Sequence, residues 1–143
     1  QIAAQQGYDR TLIFLRAAIY HDIRTAILRD DAPRLALLLE AAPDFVNGTL
    51  FGLAPVHVAA RAAKIDCLKV LKDHGADLGA TEDTADGFTA LHEAAANGHA
   101  DVVRWLLANG ADKNAHDAWG KSPLEVAQAH QKTEAAAILM QQS

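Results

Sequence analysis

The chain has one cysteine, one methionine and four prolines in 143 residues, and aromatics make up only 6% of it. A lone Cys67 excludes an internal disulfide framework and says nothing of the redox compartment. No run of about 18 apolar residues occurs, so no segment reads as a membrane span. Lysine and arginine number 13 against 18 aspartates and glutamates, a net charge of −5. Such a balance lacks the basic surface on which nucleic-acid binding rests. Half the residues are hydrophobic, many of them alanine. A core of that composition is made by helices in close contact rather than by bulky rings. No signal-peptide pattern follows Gln1, which favours the cytoplasm, or an exported or periplasmic product if a signal preceded Gln1.

Catalytic patterns are scarce too. His92-Glu93 resembles the start of the zinc-binding H-E-x-x-H helix, but Ala96 stands where the second histidine is required. The aspartates and asparagine at Asp83, Asp86, Asp112, Asn114 and Asp117 do not match a calcium loop and read as turn formers. The serines are Ser122 and Ser143, neither in a G-x-S-x-G context, and no phosphate-binding or dinucleotide-binding glycine loop is present. The expectation is a chain that is not an enzyme, with no metal, no cofactor and no small-molecule substrate.

What the sequence does have is self-similarity. Gly87–Asn114 reads GFTALHEAAANGHADVVRWLLANGADKN, and a related stretch begins at Gly52. His57 and His92 lie 35 residues apart, as do Gly75 and Gly110; Gly87 to Gly120 is a step of 33. In the clearest copy Thr89 is placed to cap a helix whose apolar stripe is Leu91, Ala94 and Ala95, and Gly98 ends it. A second helix starts at Ala100-Asp101 and carries Val102, Val103, Trp105, Leu106 and Leu107, with Gly110 as its stop. A turn-rich loop from Asn114 to Gly120 then leads to the next copy. A period of this length marks a stack of small units, each burying its apolar face against its neighbours. Cys67 aligns with Val102 on the buried side of the second helix, and a thiol there is packing, not a nucleophile.

Helix, turn, helix and hairpin loop at this period resemble the ankyrin repeat, whose signature is T-P-L-H-x-A. It stands here as Ala54-Pro55-Val56-His57-Val58-Ala59, Thr89-Ala90-Leu91-His92-Glu93-Ala94 and Ser122-Pro123-Leu124-Glu125-Val126-Ala127. The resemblance implies an all-α solenoid of about four repeats. The expected bounds are a tail and capping helix at 1–20, and a repeat domain at 21–143 divided near 21–48, 49–84, 85–117 and 118–143. It also implies that His57 and His92 hydrogen-bond to backbone and tie neighbouring turns together. The outer repeats depart from the signature, as terminal units with one wet face do. Asp30-Asp31 stands in place of Gly-His in the first, Gln131 replaces the turn glycine in the last, and the end at Gln141-Gln142-Ser143 is polar.

Two irregularities bear on function. The loop 80–86 is two residues longer than its counterpart before Gly120, so its hairpin should project further. It belongs to the stretch Asp73, Asp77, Glu82, Asp83, Asp86, which has no lysine or arginine and reads as a solvated loop, or else as a patch for a basic partner. Ahead of the first repeat, Leu12, Leu15, Ile19, Ile23 and Ile27 share one helical stripe. An extra N-terminal helix, or an extended first helix, should bury the apolar run Leu12-Ile13-Phe14-Leu15 against the end of the stack; the alternative reading of that run is a docking surface for another chain.

The resemblance implies a partner protein, gripped by a monomeric stack through hairpin tips and the first-helix face. The family's variable positions fall on Leu50, Phe51, Leu53 and Arg61; on Asp86, Phe88, Glu93 and Asn97; and on Trp119 and Lys121. Leu50, Phe51, Leu53, Phe88 and Trp119 would form an apolar row, since exposed apolar side chains in a strip are typical interface anchors. Arg61 and Glu93 would add charge matching. The implied role is that of an adaptor or inhibitor; the alternative is a regulatory or targeting segment of a larger catalytic protein or complex.

Overall fold

A computed structural model describes the backbone of residues 2–141 and the side chains of residues 10–141. The polar ending predicted at Gln142 and Ser143 lies outside the described residues. The chain forms α1 (Ile2–Leu28), α2 (Ala32–Ala41), a 3-10 turn (Pro43–Phe45), α3 (Pro55–Ala62), α4 (Ile65–Asp73), α5 (Ala90–Ala96), α6 (Ala100–Ala108), α7 (Pro123–Ala129) and α8 (Thr133–Gln141). Each odd helix packs against the even one that follows, and the inner row runs α1 on α3, α3 on α5 and α5 on α7. In the outer row α2 packs on α4 and α6 on α8. Four helix pairs thus stack side by side.

Local chemistry sets these boundaries. Thr89 Oγ1 accepts the His92 N–H at 3.3 Å at the start of α5, and Ser122 Oγ accepts the Glu125 N–H at 3.3 Å at the start of α7. Asp31 does the same for α2, accepting from the Arg34 N–H at 3.2 Å. Each satisfies one of the orphan donors of a helix N-terminus. The turn between paired helices needs one left-handed residue. Gly98 supplies it at φ 70° without strain, whereas Asp30 (57°), Ala63 (60°) and Gln131 (58°) adopt it with a Cβ in the way.

The core is a strip of aliphatic residues and alanines running the length of the stack: Ile23, Ile27, Leu35 and Leu39, then Val56, Leu68 and Leu71, then Leu91, Val103 and Leu106, then Ala127, Ile138 and Leu139. Cys67 is buried within it, and burial, followed by Asp30, pushes its thiol up to about 11. Trp105 is half-buried against the same core. At the first repeat Arg34 occupies the position filled further along by Cys67, Val102 and Ala135, all of them buried. It is exposed there, which gives the first pair a wettable outer side.

The predicted N-terminal helix and the first helix of repeat one are a single 27-residue helix, so residue 20 falls inside it rather than at a junction. Ile23 and Ile27 are buried, Ile19 is half-buried, and Tyr20 meets Phe45 with ring centroids 4.6 Å apart. Arg16 stands over the same Phe45 ring. The expected burial of the apolar run beyond is overturned: Leu12, Ile13, Phe14 and Leu15 are 38, 64, 75 and 55% exposed. The stripe is correctly placed on one helix, but among the described residues only its C-terminal half is packed against a neighbour.

Candidate functional site

Three hairpin loops join the helix pairs, and they are bonded edge to edge. In the first, Leu50 and Leu53 exchange backbone hydrogen bonds at 3.0 and 3.1 Å around the two-residue tip Phe51-Gly52. Both tip residues have positive φ, 54° at Phe51 and 81° at Gly52, as the tightest hairpin turns require. The Asp83 N–H of the second hairpin donates to the Gly52 carbonyl at 2.8 Å. A Cβ on Gly52 would lie 2.3 Å from the Asp83 carbonyl oxygen, so glycine is needed there for contact as well as for conformation. From the third hairpin the Ala118 N–H donates to the Asp86 carbonyl at 2.8 Å. The middle hairpin is therefore fastened on both sides.

The signature histidines brace this row from below. His57 Nδ1 accepts the Ala54 N–H at 3.0 Å, which leaves the proton on Nε2 to donate to the Ala80 carbonyl at 2.8 Å. His92 Nδ1 accepts the Thr89 N–H at 3.2 Å, and Nε2 donates to the Lys121 carbonyl at 2.9 Å. Each ring joins the start of its own helix to the loop that follows. Burial lowers both pKa values, and the backbone hydrogen bonds only partly oppose it, so both rings are neutral. Asp117 shapes the third hairpin, its Oδ1 accepting the N–H groups of Trp119 at 2.8 Å and Lys121 at 2.9 Å.

The residues singled out in the sequence fall into two groups. Phe51 is 83% exposed and Trp119 71% exposed, each at a hairpin tip; the Trp119 indole N–H points to Asp86 Oδ1 at 3.4 Å. Asp86, Asn97 and Lys121 are exposed as well. Leu50 and Leu53 are half-buried against the core. Phe88 is also half-buried, its ring stacked on His92 with centroids 5.5 Å apart and planes 11° from parallel. The apolar row is thus two projecting rings above a floor of partly covered side chains. An open groove of about 140 Å³ beside Trp119 is lined by Asp86, Phe88, Lys121, Val126 and His130.

Glu93 departs most from expectation. Read as an exposed helix position, it is 3% exposed. Arg61 holds it in a bidentate fork, Nη2 to Oε1 at 2.6 Å and Nε to Oε2 at 3.0 Å, and Asn97 Nδ2 donates to its carbonyl oxygen at 2.8 Å. Burial alone would raise the Glu93 pKa, but the hydrogen bonds from Arg61 and Glu82 hold it below the usual carboxylate value. Glu82 is a second correction: expected in a wet acidic loop, it is 6% exposed. The other acids of that stretch, Asp73, Asp77, Asp83 and Asp86, do face solvent. Nothing in the local sequence marks Glu82, since what covers it comes from α3 and α5.

Among the described residues no group of three or more His, Cys, Asp or Glu side chains could hold a metal ion, and no helix is long and apolar enough to cross a membrane. A stack of helix pairs with its hairpins in one bonded row belongs to the class of helical-repeat scaffolds that present a face rather than a pocket. The family model for ankyrin repeats matches residues 1–117, as three copies, and the chain belongs to the ankyrin-repeat family. Members of that family are in general non-catalytic scaffolds for protein–protein contact. Among similar proteins is mouse protein phosphatase 1 regulatory subunit 27, 36% identical over 75 residues, which are 52% of this chain and 47% of that one. Human ankyrin repeat and SOCS box protein 3 is 38% identical over 51% of this chain and 14% of its own length. Mouse diacylglycerol kinase iota is 35% identical over 76% of this chain but 10% of its own length. The similarity thus spans less than half the length of each of these relatives.

Proposed function

We propose that this stack binds a partner protein through its hairpin tips, with Phe51 and Trp119 as the anchoring side chains and Asp86, Asn97 and Lys121 as the polar surround. The observation that carries this reading is Phe51. A bulky residue at positive φ is strained by roughly 1–3 kcal/mol. A ring held in that conformation with 83% of its surface exposed contributes little to the fold. Arg61 keeps half its side chain in solvent while paired to Glu93, and so offers an oriented cation beside the tips. The hydrogen-bonded row presets the surface, so little ordering entropy is lost on binding.

The chain as a regulatory segment is the second reading. It draws on the likeness to a protein phosphatase 1 regulatory subunit and to one stretch of a kinase. In both readings the chemistry belongs to the partner or to another part of the assembly.

The test is capture of partners by the intact chain beside the Phe51→Ala/Trp119→Ala double variant. Proteins retained by the first and lost by the second, with circular dichroism and melting temperature unchanged, support the reading. Equal retention by both overturns it.

A further inference from the structure

Beneath the middle hairpin two carboxylates face one guanidinium. The Glu82 side chain is 2% exposed and that of Glu93 4%. Arg61 Nη2 lies 2.6 Å from Glu93 Oε1 but 3.9 Å from Glu82 Oε1. Glu82 Oε2 accepts the Thr84 hydroxyl at 3.0 Å, while Oε1 is buried with no hydrogen-bond donor in reach among the described residues. Two buried carboxylates sharing a site do not both ionise readily, because desolvation and mutual repulsion act together. A proton on Glu82, donated to Glu93, resolves both the orphaned oxygen and the charge excess. The remaining charged or titratable neighbours do not supply that missing positive charge: His57 on α3 is neutral, and Asp86 across the hairpin is an acid.

Glu82 also occupies a mechanical position. Its N–H donates to the Phe88 carbonyl at 2.8 Å, closing the base of the hairpin whose two edges reach Gly52 and Ala118. We propose that the proton shared by Glu82 and Glu93 is a latch that draws the middle hairpin down between its neighbours and aligns the Phe51 and Trp119 tips, and that losing it frees the hairpin. The latch is a property of the chain alone and goes beyond the partner-binding reading.

Its working range follows from the environment. Burial first, then the hydrogen bond to Glu93, pushes the Glu82 pKa up to about 8. A carboxyl whose folded pKa is raised favours the folded hairpin at low pH. That contribution declines as pH climbs above the unfolded value of 4.5 and is gone once pH passes through about 8. The latch is therefore closed in mildly acidic solution and opens in mildly alkaline solution. Because the two acids interact strongly, the transition belongs to the pair.

Carbon-detected NMR of the whole chain between pH 6 and pH 9.5 tests this without a partner. The side-chain carboxyl carbon of Glu82 should titrate near pH 8. The backbone carbons of Gly52, Phe88 and Ala118 should shift with the same midpoint, while those of α8 stay flat. Glu82→Gln, which keeps a neutral donor toward Glu93, should abolish the transition. Glu93→Gln frees Arg61 to pair with Glu82 and should lower the midpoint by about one unit or more. Titration of Glu82 in the ordinary carboxylate range, or hairpin carbons that stay still while it titrates, overturns the proposal. So does an unchanged transition in Glu82→Gln. If that variant does not fold, the wild-type titration and the Glu93→Gln shift decide the matter.

Discussion

Arg61 on α3 clasps Glu93 on α5 across the boundary between two repeats, with both ends of the guanidinium engaged at 2.6 and 3.0 Å. The pair is asymmetric, since the glutamate is sealed from water and the arginine is about half exposed. Breaking a fully buried pair costs about 3–5 kcal/mol, and water at the arginine end lowers that toward about 2–3 kcal/mol. Arg61→Ala should therefore cost about 2–3 kcal/mol in chemical denaturation. Replacing both residues by leucine should recover most of that loss. A double variant as unstable as the single would show that packing, not the stranded charge, sets the cost.

Phe51→Asn creates an Asn-Gly pair at a tip where both residues have positive φ. That is the preferred composition of such a turn, and relief of strain should stabilise the chain by about 1 kcal/mol. The same substitution should weaken partner capture. Greater stability with capture intact would remove Phe51 from the binding surface.

Ala63→Gly tests strain at the helix–helix turn, where Gly98 serves in the next repeat. With φ at 60°, loss of the methyl group should stabilise by about 1 kcal/mol, measured as a rise in the denaturation midpoint. Gly98→Ala should do the reverse. The cost should be about the size of the mirror gain, because the one close neighbour of the added carbon, Lys132 Cδ at 2.8 Å, belongs to a flexible side chain that can swing aside.

The histidine braces predict an acid limb of stability. Both rings have lowered folded pKa values and stay neutral in the fold, while the unfolded chain takes up protons below its ordinary value of 6.5. Their contribution is fully present above pH 6.5 and is lost as pH falls through the lowered folded values. Glu82 slopes the opposite way over part of this range, so the cleanest measurement is in the Glu82→Gln background. Denaturation midpoints there should fall from pH 7 to pH 5. A flat profile would mean that the rings titrate alike in folded and unfolded chains.

Elements built by short-range rules were legible in the sequence. Thr89 announced its helix and Cys67 its burial by alignment with Val102, while the bracing role of His57 and His92 came from the ankyrin resemblance. The same resemblance put Phe51 and Trp119 among the variable hairpin positions, and both rings project from the tips. What stayed hidden depends on partners distant in sequence. Arg61 and Glu93 are 32 positions apart, and Glu82 is covered from two different repeats. Leu12 and Leu15 failed for the converse reason: a stripe shows which side of a helix is apolar, but not how far the neighbouring helix extends.

The alternation of inner and outer helices means that each pair leans mainly on the pairs beside it. Damage should accordingly spread by adjacency, as in a zip opened from its ends. Among the described residues the α1–α2 and α7–α8 pairs each pack on one neighbouring pair, and they should exchange their amide hydrogens first. The α3–α4 and α5–α6 pairs, stapled to each other by Arg61 and Glu93, should let go last.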